Sequence, residues 1–162
     1  MIAIVYYSMS GNTEYVAKHI AERLGADLIK IEPKKDYPDK GFIKFFWGGK
    51  CAVMGEKPKL EEYEFDASKY DLVIFGSPVW ASRFSPPIRS FVNENKEKLI
   101  GKNIAAFACY AGSGAEKALE RLKEYIGVEN FNASLCLIDP KDKKSEEKDK
   151  KIDEFCEKIA SR

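Results

Sequence analysis

Three hydroxyls and a glycine fall within the six residues Ser8-Met9-Ser10-Gly11-Asn12-Thr13. These groups can hold an anion with neutral donors. The apolar run Ile2-Ala3-Ile4-Val5-Tyr6-Tyr7 before them reads as a buried strand, and an amphipathic helical pattern follows, from about Thr13 to Leu24. The first N–H groups of a helix lack partners within the helix, and the helix dipole adds partial positive charge at that end. A strand, a hydroxyl-rich turn and a helix in this order therefore predict a phosphate site.

Two more stretches carry candidate ligand residues. The strand signal Asp71-Leu72-Val73-Ile74-Phe75-Gly76 runs into Ser77-Pro78-Val79-Trp80-Ala81-Ser82-Arg83-Phe84. A second strand, Asn103 to Cys109, ends in Tyr110-Ala111-Gly112-Ser113-Gly114. Trp80 and Tyr110 offer flat apolar surfaces beside glycine and hydroxyls. No basic residue lies in the first stretch, so a bound phosphate would rest on backbone N–H groups, hydroxyls and the helix terminus.

The elements that must position these stretches alternate along the chain. Val16, Ala17, Ile20, Ala21 and Leu24 give the first helix its buried face, and Gly25 closes it. A short strand follows at Asp27 to Ile31. Ser85-Pro86-Pro87 is an N-cap followed by a first-turn proline, opening a helix that buries Ile88, Phe91 and Val92. Ser113 and Glu116 have the spacing of a capping box for the next helix, which buries Ala118, Leu119, Leu122 and Ile126. A last strand is expected within 129–138. The mixed-charge run Lys141 to Lys151 reads as a solvated turn and the exposed start of a final helix, whose buried stripe is Ile152, Phe155, Cys156 and Ile159. The segment Gly41 to Met54 allows two readings: a covering helix with Phe42, Phe45, Phe46 and Val53 inward, or a flap whose Phe42–Trp47 aromatics reach a ligand or a partner.

Continuous apolar strands alternating with helices imply a parallel sheet covered on both faces. The expected fold is one α/β domain over residues 1–162, a three-layer sandwich with five parallel strands in the order 2-1-3-4-5. Ligands of such sheets bind beyond the carboxyl ends of the strands, where the strand order reverses. That is where the three stretches meet.

Composition narrows the function classes. The chain has 162 residues and a formal charge of +1, which gives no electrostatic case for nucleic acid or a membrane surface. The apolar start is too short for a signal peptide or an anchor, so a cytoplasmic protein is expected. The four cysteines (51, 109, 136 and 156) contain no CxxC and read as free thiols rather than zinc ligands or disulfides. His19, the single histidine, shares a helix face with Lys18, Glu22 and Arg23 and reads as a surface residue.

At its three loops the sequence resembles the short-chain flavodoxin family. Tyr7-Ser8-Met9-Ser10-Gly11-Asn12-Thr13-Glu14 is similar to that family's phosphate-binding signature, and Gly76-Ser77-Pro78-Val79-Trp80 to its second loop. The resemblance implies FMN as cofactor, held by Ser8, Met9, Ser10, Gly11, Asn12 and Thr13 at the phosphate, by Ser77, Pro78, Val79, Trp80, Ala81 and Ser82, and by Cys109, Tyr110, Ala111 and Gly112. It implies that Trp80 stacks on the isoalloxazine ring, with Tyr110 opposite, and that the Ala81-Ser82 peptide lies beside the flavin N5. The implied function is electron transfer between redox partner proteins through quinone, semiquinone and hydroquinone states. The alternative is a small FMN-dependent NAD(P)H oxidoreductase acting on quinones or similar acceptors. The near-neutral charge departs from the acidic character of well-studied relatives. If Arg83 lies near the ring, it would favour the anionic hydroquinone and predict a less negative hydroquinone couple than in acidic relatives.

Two classes sharing this topology fail on their residues. A receiver domain needs acids after the first strand and a phosphorylatable aspartate after the third, where this chain has Ser8 and Ser77. A low-molecular-weight phosphatase needs Cys-x5-Arg, but the sixth residue after Cys109 is Ala115 and after Cys51 is Lys57.

Overall fold

A computed structural model describes residues 1–37 and 49–162. The strands are β1 (Ile2–Tyr6), β2 (Asp27–Lys30), β3 (Leu72–Trp80), β4 (Arg83–Phe84), β5 (Asn103–Tyr110) and β6 (Ser134–Ile138). Among the described residues, the helices of three or more turns are α1 (Asn12–Leu24), α2 (Pro86–Leu99), α3 (Ala115–Ile126) and α4 (Glu146–Ala160). Residues 49–53 are also helical. The parallel strands lie in the order β2-β1-β3-β5-β6, which is the expected order once the short antiparallel β4, paired only with the end of β3, is set aside. The fold is the expected α/β sandwich, a parallel sheet between two layers of helices.

Period-two alternation assigns each strand's side chains to opposite faces. Ala3, Val5, Val73, Phe75 and Ala106 share one buried core with Ile88, Phe91 and Val92 of α2 and Leu119 and Leu122 of α3. Ile4, Tyr6, Leu72, Ile74 and Phe107 share the other with Val16 and Ile20 of α1 and Ile152, Phe155 and Ile159 of α4. The sheet is thus apolar on both faces, as the uninterrupted apolar strands require. Gly76 is a packing necessity within it: a Cβ there would sit 2.3 Å from Cζ of the buried Phe107 ring opposite.

Several local expectations change. Ser77 to Trp80 are not loop but the end of β3, which continues to Trp80 and turns back into β4. Helix α3 does not use the Ser113–Glu116 box; its N-cap is Gly114 in the left-handed region, without a side-chain cap bond. Val53 is 55% exposed rather than inward, while Cys51 and Ala52 are buried. The Phe42–Trp47 segment lies outside the described residues. No described helix is long and apolar enough to cross a membrane.

Burial dominates the behaviour of the thiols. It pushes Cys51, Cys136 and Cys156 up to about 11 and Cys109 up to about 12, from an ordinary value of 9.0. A folded-state value above the unfolded one stabilises the fold at pH below the unfolded value, and that contribution disappears as pH climbs through the folded value. Thermal melts should therefore show a midpoint that falls steadily from pH 9 toward pH 12; a flat midpoint across that window would contradict the buried-thiol assignment.

Candidate functional site

A cleft of about 460 Å³ opens at the carboxyl ends of β1, β3 and β5, within the usual size range of cofactor sites. The first loop contributes Met9, Ser10, Asn12 and Thr13 to its walls, β3 and its turn contribute Pro78, Val79, Trp80 and Ala81, and β5 contributes Cys109, Tyr110 and Ala111. Gly49, Asp139 and Asp142 complete the lining.

The loop after β1 is built around the start of α1. Gly11 is the N-cap, with φ 92, a conformation that disfavours any residue with a Cβ. Ser8 Oγ accepts from the Glu14 amide at 3.1 Å, and the Gly11 carbonyl accepts from the Tyr15 amide at 3.0 Å. The amides of Asn12 and Thr13, ahead of these, have no acceptor within the helix, and both residues line the cleft. Ser10 is exposed there and Thr13 is 1% exposed. Ser8 works from behind, capping the helix rather than lining the cleft.

Trp80 is half-buried, packed against the core on one side and lining the cleft on another. Tyr37 and Tyr7 meet its ring edge-on, with centroids 5.1 and 5.8 Å away and interplanar angles of 82° and 88°. Such edge-to-face contacts each contribute about 0.5–1.5 kcal/mol beyond burial and fix the ring's plane. Burial pushes the Tyr7 and Tyr37 hydroxyls well above the usual phenol range, so both remain neutral donors.

The turn after Trp80 is under constraint. Ala81 and Ser82 have φ values of 51 and 57, the left-handed region that non-glycine residues occupy at a cost of about 1–3 kcal/mol each. Three contacts hold them there. Trp80 pairs with Arg83 and Val79 with Phe84. Arg121 Nη1 of α3 donates to the Ser82 carbonyl at 2.7 Å. Gly114 packs so closely that a Cβ would lie 2.3 Å from Ser82 Oγ and 2.9 Å from its Cα.

Other expected site residues fall outside the cleft lining. Ser77 is buried, with its hydroxyl donating to Ser85 Oγ at 3.1 Å and accepting from the Ser85 amide at 2.8 Å, so it closes the hairpin. Ser82 faces Gly114, Gly11 faces Lys141, and Gly112 has open space about it. Arg83 stands opposite Trp80 in β4, away from the lining, with a buried Nε that meets no partner among the described residues. Cys109 does line the cleft but is buried, and its thiol is kept protonated by that burial despite the opposing contact with the Thr13 hydroxyl. It is no nucleophile at neutral pH.

Asp139, Lys141 and Asp142 were not anticipated. They follow β6 in a run whose interleaved charges look solvated, yet the loop leaves the sheet at the carboxyl ends of the strands, the side on which the cleft lies. Position after the last strand, rather than residue type, was the available signal.

A family model described as flavodoxin matches residues 1–151. Among solved structures, a flavoprotein from Lactobacillus acidophilus NCFM, in complex with FMN, is similar with a TM-score of 0.74 at 20% identity, covering 95% of this chain and 97% of that one. A candidate flavoprotein from Bacteroides eggerthii DSM 20697 gives a TM-score of 0.77 at 22% identity, covering 99% and 98%. The two-electron reduced flavodoxin of Megasphaera elsdenii gives 0.60 at 18% identity over 100% of both chains. At these identities the structural likeness shows the fold.

Proposed function

The chain belongs to the flavodoxin family, and from that membership we propose that it binds FMN and carries electrons between redox partner proteins. One observation carries the reading: a single cleft joins a neutral anion-binding helix terminus to a tryptophan held edge-on by two tyrosines. The residues fit the cofactor. Hydroxyls and helix amides suit its phosphate, and the apolar surfaces of Trp80, Val79 and Tyr110 suit a flat ring. The similar Lactobacillus acidophilus protein is itself an FMN complex.

Bound there, FMN supplies reversible one- and two-electron redox chemistry. Ser10 and Thr13 donate hydroxyls to the phosphate, together with the Asn12 and Thr13 amides, while Ser8 keeps the helix start in place. Trp80 and Tyr110 would pack against a flat ring and keep water from it, and the backbone of Ala81 would border it. Arg121 and Gly114 keep that backbone from relaxing. The protonated Cys109 supports the ring's surroundings without reacting.

Stepwise anaerobic reduction followed by absorption tests this. A flavin spectrum that bleaches in two separated one-electron stages is the expected result. Absence of flavin binding overturns the reading, and direct two-electron bleaching by NAD(P)H would assign the protein to FMN-dependent oxidoreductases instead.

A further inference from the structure

The phosphate loop has no basic residue of its own, yet the loop after β6 brings two opposite charges to it. The Lys141 amide donates to Asn12 Oδ1 at 2.8 Å, and Asn12 Nδ2 donates to Asp142 Oδ2 at 2.9 Å and to Ser10 Oγ at 3.2 Å. Asn12 therefore ties the two loops together through both ends of its side-chain amide. The Lys141 ammonium lies 3.4 Å from the Ser10 carbonyl oxygen. A Cβ on Gly11 would come within 2.9 Å of that same nitrogen. Asp139 and Asp142 line the cleft, but Asp139 pairs with Lys143 at 2.9 Å. Lys141 forms no ion pair among the described residues.

From this arrangement we infer that Lys141 is the cationic member of the phosphate site and that Asp142 opposes it. The loop after β6 thereby sets how strongly a phosphomonoester dianion is preferred over the same ligand without phosphate. The inference rests on the flavin reading of the cleft. A dianion meets each neighbouring charge with twice the Coulomb energy of a monoanion, in either direction. The Asn12 tie keeps both charges beside the anchor of α1, rather than leaving them on a wandering loop. Because Lys141 is exposed, solvent and salt screen its contribution. The effect is therefore moderate and fades at high ionic strength.

The test is titration of the full chain, freed of flavin, with FMN and with riboflavin at low and at high salt. Lys141→Gln should weaken FMN about five-fold at low salt and leave riboflavin unchanged. Asp142→Asn, which retains an oxygen for Asn12, should strengthen FMN by a similar factor. Both differences should shrink at high salt. Lys144→Gln removes the same charge from a side chain that lies over the Tyr15 ring, and it should leave the FMN-to-riboflavin ratio as in the parent. Equal loss of both ligands in Lys141→Gln, or shifts of the same sign in the two variants, overturns the inference. A parent that prefers FMN, with both variants keeping its ratio, overturns the inference alone. A parent that binds neither flavin overturns the cleft reading and the inference together.

Discussion

Gly114→Ala should lower stability by about 2–5 kcal/mol, combining a left-handed backbone penalty of about 1–2 kcal/mol with overpacking of about 1–3 kcal/mol. The penalty arises from φ 90 at the N-cap of α3. The overpacking arises because the new methyl would meet Ser82 Oγ at 2.3 Å and Ser82 Cα at 2.9 Å. A hydroxyl can rotate aside; the Cα belongs to a turn already fixed by strand pairing and by Arg121. Relief therefore has to come from movement of the Ala81-Ser82 turn or of the start of α3, and both border the cleft. Denaturant midpoints read the stability loss, and FMN titration reads the displaced turn. Gly112→Ala is the matched control, since nothing lies within 4 Å of its added carbon; it should change stability by no more than about 1 kcal/mol. Similar behaviour of the two variants would remove the case for a Gly114–Ser82 contact.

Loss of a phosphate-facing hydroxyl should divide FMN from riboflavin. A hydrogen bond to a charged group contributes about 1.5–3 kcal/mol, which corresponds to about 10- to 150-fold in affinity. Ser10→Ala removes an exposed hydroxyl with little disturbance of packing. Thr13→Val suits its buried neighbour, because Thr13 is 1% exposed and a smaller side chain would leave a void. Each should cut FMN affinity by at least about ten-fold while riboflavin changes less than about two-fold. Isothermal titration of both ligands decides it. Equal losses would mean that these hydroxyls shape the cleft rather than hold a phosphate.

The parts of the molecule that could be anticipated are those where local pattern and global packing agree. Ile4, Val5, Ile74 and Phe75 sit in unbroken apolar runs because both sheet faces are covered, and α1 begins where a glycine and hydroxyls replace that run. The hairpin at Trp80 and Arg83 escaped because Ala81-Ser82 lacks the Asn-Gly or Gly chemistry that marks such turns; distant contacts impose the conformation. The capping box at Ser113 lost to Gly114 for the same reason, since only glycine fits against Ser82. Ser77 resembled a ligand residue by type and position, but its hydroxyl serves Ser85 in the interior. Lys141 and Asp142 reach the site through Asn12, a contact spanning 129 and 130 residues that no local pattern encodes.

The Arg121 tether on the Ser82 carbonyl has a bearing on how such a protein can diversify. The turn bordering the cleft takes part of its shape from a helix that packs Ala118, Leu119, Leu122 and Ile126 into the core and whose exposed residues are free to suit the opposite surface. Substitution of Arg121 on α3 can thus change the cleft's edge without touching a residue that lines it. Surface drift and the shape of the cleft's edge are coupled through one guanidinium. A lineage that replaces Arg121 inherits a differently shaped cleft edge as a by-product.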